Sequence, residues 1–338
     1  MPIDVTLIPG DGIGPEITEA TLAALEATGV RINWDRQVGG MAAVASAGTP
    51  LPEATLRSIE RTGLALKGPL TTPVGEGYRS VNVGLRQQFQ LFANLRPTRT
   101  LIPGGRFSDV DIVLVRENLE GLYVGVEHYV PVGDDPRAVA EALAIITRQG
   151  SERIARYAFE YAVAHGRKKV TVVHKANILK MVSGLFLDVA REVARDYTGR
   201  VECSDLIIDN AAMQLVMRPE QFDVIVTTNM FGDILSDLIS GLAGGLGLAP
   251  GANIGEKASI FEAVHGSAPD IAGKGVANPA ALMFAAAMML DHAGERERAG
   301  RLRTAIEAVI VADNVRTRDL GGTASTGEFG HAVAQRLR

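Results

Sequence analysis

Hydrophobic positions along this chain change period repeatedly. Val30 to Trp34 alternates apolar and polar residues, a short β-branched run lies at Val5 to Ile8, and further strands are expected at Leu64 to Lys67, Asp109 to Arg116, Lys169 to His174, Val201 to Ile208 and Asp223 to Thr228. Between most of them apolar residues recur at helical spacing, as in Ile17 to Thr28 and Ala280 to Leu290. Strands alternating with helices predict an α/β protein, and runs apolar on both faces predict a sheet covered on both sides. No linker-like stretch divides the chain. A discontinuous two-lobe arrangement is therefore expected, with breaks near Arg96-Pro97 and Pro250-Gly251.

Composition narrows the class. The 338 residues, 46% hydrophobic, suffice for two lobes, and 34 Lys plus Arg against 39 Asp plus Glu give a net charge of -5. No global cation holds such a chain on a nucleic acid. The single cysteine, Cys203, excludes an intrachain disulfide and is expected to be a buried, inert thiol. The stretch MPIDVTLIPG carries no targeting pattern, so the expectation is a cytoplasmic protein. The longest uncharged run, Leu238 to Gly255, contains six glycines and Pro250, which suits a packed turn region better than a lipid-exposed helix.

The first glycines invite a wrong reading. Gly10-Asp11-Gly12-Ile13-Gly14-Pro15 follows a strand, but Gly14 comes two positions after Gly12 where a Rossmann loop needs three. A tight strand-to-helix turn with Pro15 in the first helical turn fits better. Gly-Lys-Ser/Thr, His-Glu-x-x-His and Gly-x-Ser-x-Gly motifs are absent, which excludes the common nucleotide and hydrolase templates.

Polar chemistry concentrates in four segments. In Thr71 to Pro97, Asn82 and Arg86 share a helical face, with Leu85, Phe89 and Phe92 on another and Ser80 near the helix start. The free amides of that start and the forks of Arg86 and Arg96 suit an anion as well as a solvated face. Arg116 ends a strand and is followed by Tyr123; Lys175 and Asn177 follow the strand ending at His174, itself read as a structural histidine. Asp233 and Asp237 stand one helical turn apart and, with Asp209 at the end of another strand, make a three-carboxylate oxygen set of the kind hard divalent cations prefer. A loop rich in glycine and proline, HGSAPDIAGKGVANP, carries His265, Asp270 and Asn278.

Taken in order, IPGDGIGPE, TTPVGEGYRSVN to LRP, RENLEGLY, VHKANILK, NMFGDILSD, LGLAPGANIG and HGSAPDIAGKGVANP resemble the β-decarboxylating dehydrogenases, whose members act on isocitrate, 3-isopropylmalate or homoisocitrate. The match runs nearly end to end. It implies a two-lobe, non-Rossmann α/β fold, with a cofactor-binding domain from residues 1–97 and 250–338 and a small domain, 98–249, carrying the dimer interface and the metal-binding aspartates. It implies a homodimer whose site is shared, with Lys175 and Asp209 reaching in from the neighbouring subunit. Arg79-Ser80-Val81-Asn82 is similar to the isocitrate enzymes, in which the serine and asparagine bind the distal carboxylate.

Site roles carried by the resemblance are as follows. Ser80, Asn82, Arg86, Arg96, Arg116 and Asn177 bind isocitrate; Tyr123 and Lys175 are catalytic; Asp209, Asp233 and Asp237 hold Mg2+ or Mn2+; Thr72, His265, Gly266, Ser267, Ala268, Asp270, Ile271 and Asn278 bind NAD. Asp270-Ile271 stands where NADP-using relatives often have Lys-Tyr, which points to NAD, although Arg316 and Arg318 lie in the stretch that also approaches the adenosine. Three arginines, Lys175, three aspartates and a divalent metal leave a site of net charge +3, matched to trianionic isocitrate. The implied reaction is oxidative decarboxylation to 2-oxoglutarate, with Lys175 removing the hydroxyl proton and Tyr123 protonating the product carbon. Homoisocitrate, isopropylmalate or tartrate-type dehydrogenases share this chemistry. A non-catalytic regulatory subunit is the alternative of another class.

Overall fold

The computed structural model describes residues 2–71, 80–102 and 107–338. Its strands are β1 (Ile3–Ile8), β2 (Ile32–Arg36), β3 (Leu64–Lys67), β4 (Ala93–Arg99), β5 (Asp111–Glu117), β6 (Glu127–Val132), β7 (Asp135–Ala142), β8 (Lys169–His174), β9 (Glu202–Ile207), β10 (Val224–Thr227), β11 (Pro250–Ile254) and β12 (Ser259–Ala263). Helices separate most consecutive strands. The chain falls into two compact units, one of residues 1–91, 97–108 and 240–338, the other of 92–96 and 109–239.

In the first unit the strand order is β2-β1-β3-β12-β11, parallel except where β11 runs antiparallel to β12. β3, β11 and β12 are buried throughout, because the apolar helix Ala280–His292 packs on all three. The helix Thr326–Leu337 begins with a capping box in which Ser325 and Glu328 satisfy each other's end groups. It packs against the helix Gly14–Ala27.

In the second unit β5-β10-β8-β9 is wholly parallel. The helix Arg148–Ala164 covers β5, β10 and β8, and Val182–Ala194 adds cover over β8. β6 and β7 form an antiparallel hairpin whose side chains are exposed almost throughout.

Four expectations are corrected. Residues 97–108 and 240–249 belong to the first unit and not to the central one. The 310 turn Leu246–Leu248 packs on the helix Ala280–His292, and Arg99 pairs with Glu307 at 3.3 Å, so both stretches are drawn back. Phe92 does not continue the apolar helix face of Leu85 and Phe89. That helix, Val81–Gln88, stops before Gln90, whose φ of 49° no helix continues, and Phe92 packs edge-on against Tyr157 in the second unit. Cys203 is exposed because β9 is, among the described residues, the edge strand of its sheet. Asp209 lies in the first turn of the helix Ile208–Met217 and not at a strand end. Among the described residues no helix is long and apolar enough to cross a membrane.

Candidate active site

The second unit gathers five of the predicted residues. Arg116, at the carboxyl end of β5, is 1% exposed. Its Nε and Nη2 donate to Asn229 Oδ1 at 3.0 and 2.7 Å, while Nη1 donates to Asp233. The Tyr123 hydroxyl donates to the other Asp233 oxygen at 2.7 Å, and its ring lies 5.3 Å from the Arg116 guanidinium carbon. Arg96 donates from Nε to Asn94 at 2.6 Å and from Nη1 to Ser236, and stands 3.5 Å from Asp237 and 3.7 Å from Asp233. Gly232 is needed where it stands, because a Cβ there would lie 2.6 Å from Arg116 Cγ.

Asp233 and Asp237 keep 39% and 61% of their side chains exposed. Two open carboxylates a turn apart, beside two arginines, can take a hard divalent cation together with the carboxylates of a small acid. Asp209 is not with them: it accepts from Lys175 Nζ, and this bond chiefly holds its carboxyl below the ordinary carboxylate range. Among the described residues of this one chain, no three acidic, histidine or cysteine side chains gather as a metal site. Asn177 is exposed two residues after Lys175, and His174 is buried between Asp205 and the Ala176 amide.

The first unit holds the remaining residues. Ser80 caps the helix Val81–Gln88, accepting from the Val83 amide at 3.5 Å. Among the described residues Asn82 Oδ1 is buried without a hydrogen-bond partner. Arg86, half-buried, lends its charge to Glu262, which pairs with Lys67 at 2.6 Å.

The glycine turn after β1 also has a part here. Gly10 and Gly12 have φ of 81° and 58°, and a Cβ on Gly12 would lie 1.9 Å from the Ser267 carbonyl oxygen. That oxygen accepts from the Ile13 amide at 2.9 Å, so the turn is a seat for the loop carrying His265 to Asn278. Asp11 ties the same turn to the amides of Met41, Ala42 and Thr71. In the loop, Ser267 bonds Thr71, Asn278 bonds Asp319, and Ala268 has φ of 39°. Gly266 and Asp270 are exposed and Ile271 half-buried. Burial lowers the His265 pKa, and among the described residues its Nε2 is buried without a partner, as a ring nitrogen set aside for a ligand would be. Thr72 lies outside the described residues.

Sequence reasoning passed over Asn229, Ser236, Asn94, Lys67 and Glu262. Asn229 and Ser236 stand four before and three after Asp233 on one helix, which is a readable signal. Lys67 and Glu262 are single charges in otherwise apolar strands, LALK and SIFEA.

Comparison with known proteins extends this picture to the whole chain. The family model for isocitrate/isopropylmalate dehydrogenase matches residues 4–333. A crystal structure of isocitrate dehydrogenase from Methylococcus capsulatus superposes with a TM-score of 0.95 at 56% identity, covering 99% of both chains. Isocitrate dehydrogenase [NAD] catalytic subunit 5, mitochondrial, of Arabidopsis thaliana is 48% identical over 99% of this chain and 89% of its own. The 3-isopropylmalate dehydrogenase of Archaeoglobus fulgidus is 49% identical over 98% of this chain and 99% of its own. The chain belongs to the isocitrate/isopropylmalate dehydrogenase family.

Proposed function

We propose that this chain catalyses the NAD-dependent oxidative decarboxylation of isocitrate to 2-oxoglutarate and CO2. The observation that carries the substrate is the polar helix start: Ser80 at the cap and Asn82 in the first turn, a hydroxyl and an amide NH2 that can both donate to a carboxylate. An isopropyl group brought there leaves both polar side chains without a partner. A third carboxylate, as in isocitrate, gives the Ser80 hydroxyl and the Asn82 amide an acceptor. Because Arg116, Tyr123, Lys175 and the aspartates are all present, the reading is an enzyme and not a regulatory subunit.

Asp233 and Asp237, with Asp209, would hold Mg2+ or Mn2+, and the loop from His265 to Asn278 with Thr72 would hold NAD. When bound, the metal supplies a Lewis acid and NAD the hydride acceptor. The chain's own groups do the rest. Arg86, Arg96 and Arg116 orient the carboxylates. Lys175, when neutral, takes the hydroxyl proton, and Tyr123 delivers a proton to the carbon left by CO2.

Exposed apolar side chains beside Lys175 support a homodimer. Lys175 and Asp209 pair with each other while Ile178, Leu179 and Met181 beside them, at 68%, 45% and 88% exposure, are left to be covered. Lys175 and Asp209 then act in the partner's site.

Initial rates on isocitrate, homoisocitrate and 3-isopropylmalate, each with NAD and NADP and with Mg2+ or Mn2+, test the reading. The highest kcat/KM is expected for isocitrate with NAD. Preference for another acid overturns the substrate, and preference for NADP overturns the cofactor.

A further inference from the structure

We propose that Asn229 is a positioning residue that sets Arg116 and the turn before Tyr123 in register with Asp233. The side chain is 1% exposed and has two jobs. Its single carbonyl oxygen accepts both Nε and Nη2 of Arg116, at 3.0 and 2.7 Å. Its amide nitrogen donates to the Glu120 carbonyl at 3.1 Å, directly ahead of the Gly121 turn that leads to Tyr123.

The geometry explains why the residue matters. A guanidinium presents its donors in a planar fork, so occupying the Nε and Nη2 edge fixes the rotation of the whole plane. The Nη1 side is thereby turned toward Asp233. Asn229, Gly232 and Asp233 stand at i, i+3 and i+4 of the helix Asn229–Ala243, so one helical face holds the guanidinium, accommodates the aliphatic stem and receives the Nη1 donor. The Glu120 bond ties the chain segment bearing Tyr123 to that face. Strand end, turn and helix are each held by one amide group. A guanidinium free to rotate must be ordered each time a carboxylate binds, and that cost falls on acid binding.

This rests on the proposed function only in the choice of acid, since Arg116 offers a fork to a carboxylate that every family substrate carries. Asn229→Ala is expected to raise KM for the acid about 10- to 100-fold, the range for losing a hydrogen bond to a charged group. KM for NAD should stay within about twofold, because the groups Asn229 bonds, Arg116 and the Glu120 carbonyl, are not among the residues proposed to hold NAD. Asn229→Asp keeps an acceptor for Arg116 and loses the donor to Glu120, so KM for the acid should return to within about threefold, while kcat is lowered in both variants because the segment bearing Tyr123 has lost its bond to residue 229. A fold defect gives a different pattern, with both KM values rising together, a lowered Tm and no rescue by Asp. That pattern, or an unchanged KM in Asn229→Ala, overturns the proposal. If Asn229→Ala does not fold, Gly232→Ala displaces the Arg116 stem from the same face and must give the same split between the two KM values. If the parent prefers another acid, the substrate reading falls and the same comparison is run on that acid. Should the parent turn over none of them, the Arg116 Nε–Hε resonance decides: protected from exchange in the parent and lost in Asn229→Ala if the proposal holds, unchanged if it does not.

Discussion

Lys67 and Glu262 face each other across the parallel pair β3–β12, with the ammonium 2.6 Å from the carboxylate and both side chains buried. Burial alone pushes the Glu262 carboxyl up. The Lys67 charge, then that of Arg86, with hydrogen bonds from Lys67 and Asn253, outweigh burial and hold it at about 2. Removing one partner leaves the other as an uncompensated buried charge, which costs about 3–5 kcal/mol. Glu262→Gln is therefore expected to lower unfolding free energy by that order in urea. A depressed carboxylate contributes stability that is present above its ordinary value of 4.5 and is lost only as pH falls through about 2. The deficit of Glu262→Gln should accordingly be the same at pH 6 and pH 8, and a deficit that vanishes at pH 6 refutes the assignment.

Gly12→Ala should damage two properties together. The new Cβ meets the Ser267 carbonyl at 1.9 Å, and the residue sits at φ of 58°, so both backbone strain and collision oppose it. A loss of about 2 kcal/mol or more is expected, with KM for NAD raised at least about tenfold and KM for the acid much less affected. Equal rises in both KM values would show that the turn does not act through the loop at Ser267.

Glu117 makes stability depend on pH in the opposite sense. Burial above all pushes its carboxyl up to about 7, against the hydrogen bonds it accepts from the Leu119 and Glu120 amides at 2.8 to 3.1 Å. Because the folded value lies above the unfolded 4.5, the group's stabilising contribution is complete below 4.5 and is lost as pH rises through about 7. The parent should lose on the order of 3 kcal/mol relative to Glu117→Gln between pH 4.5 and pH 8. A constant difference between the two proteins over that range rules this out.

How much of this was legible depends on the range of the signal. β3 and β8 could be bounded to the residue, because each is a short apolar run, β-branched in β8, that begins or ends at a charged, polar or glycine position. The shared face of Asn82 and Arg86 and that of Asp233 and Asp237 follow from helical spacing. Phe92 was misplaced because the helix ends through the backbone of Gln90, a conformation its side chain does not announce. Asn229 was missed because its two partners lie 113 and 109 residues away, and no local pattern encodes pairing at that distance. Cys203 was misread because burial of β9 depends on a neighbouring strand, and an edge position is a property of topology.

Tyr123→Phe separates two roles that the site allows for this ring. The ring lies 5.3 Å from the Arg116 guanidinium carbon, and the hydroxyl donates to Asp233 at 2.7 Å. Phenylalanine keeps the ring over the guanidinium and removes only the transferable proton. If the ring's contact with Arg116 is what matters, the variant retains turnover and binding alike. If Tyr123 delivers the proton after CO2 leaves, kcat falls about 100- to 10,000-fold, the range for losing a general acid, while KM for the acid changes little because Arg116 still faces Asp233 through its own donor. Tm should be unchanged to within a few degrees, since the side chain is 37% exposed and a single exposed hydrogen bond contributes about 1 kcal/mol. Full turnover in Tyr123→Phe would assign the proton to another group. A collapse of KM and Tm together would make the hydroxyl a brace for Asp233 and not a proton donor.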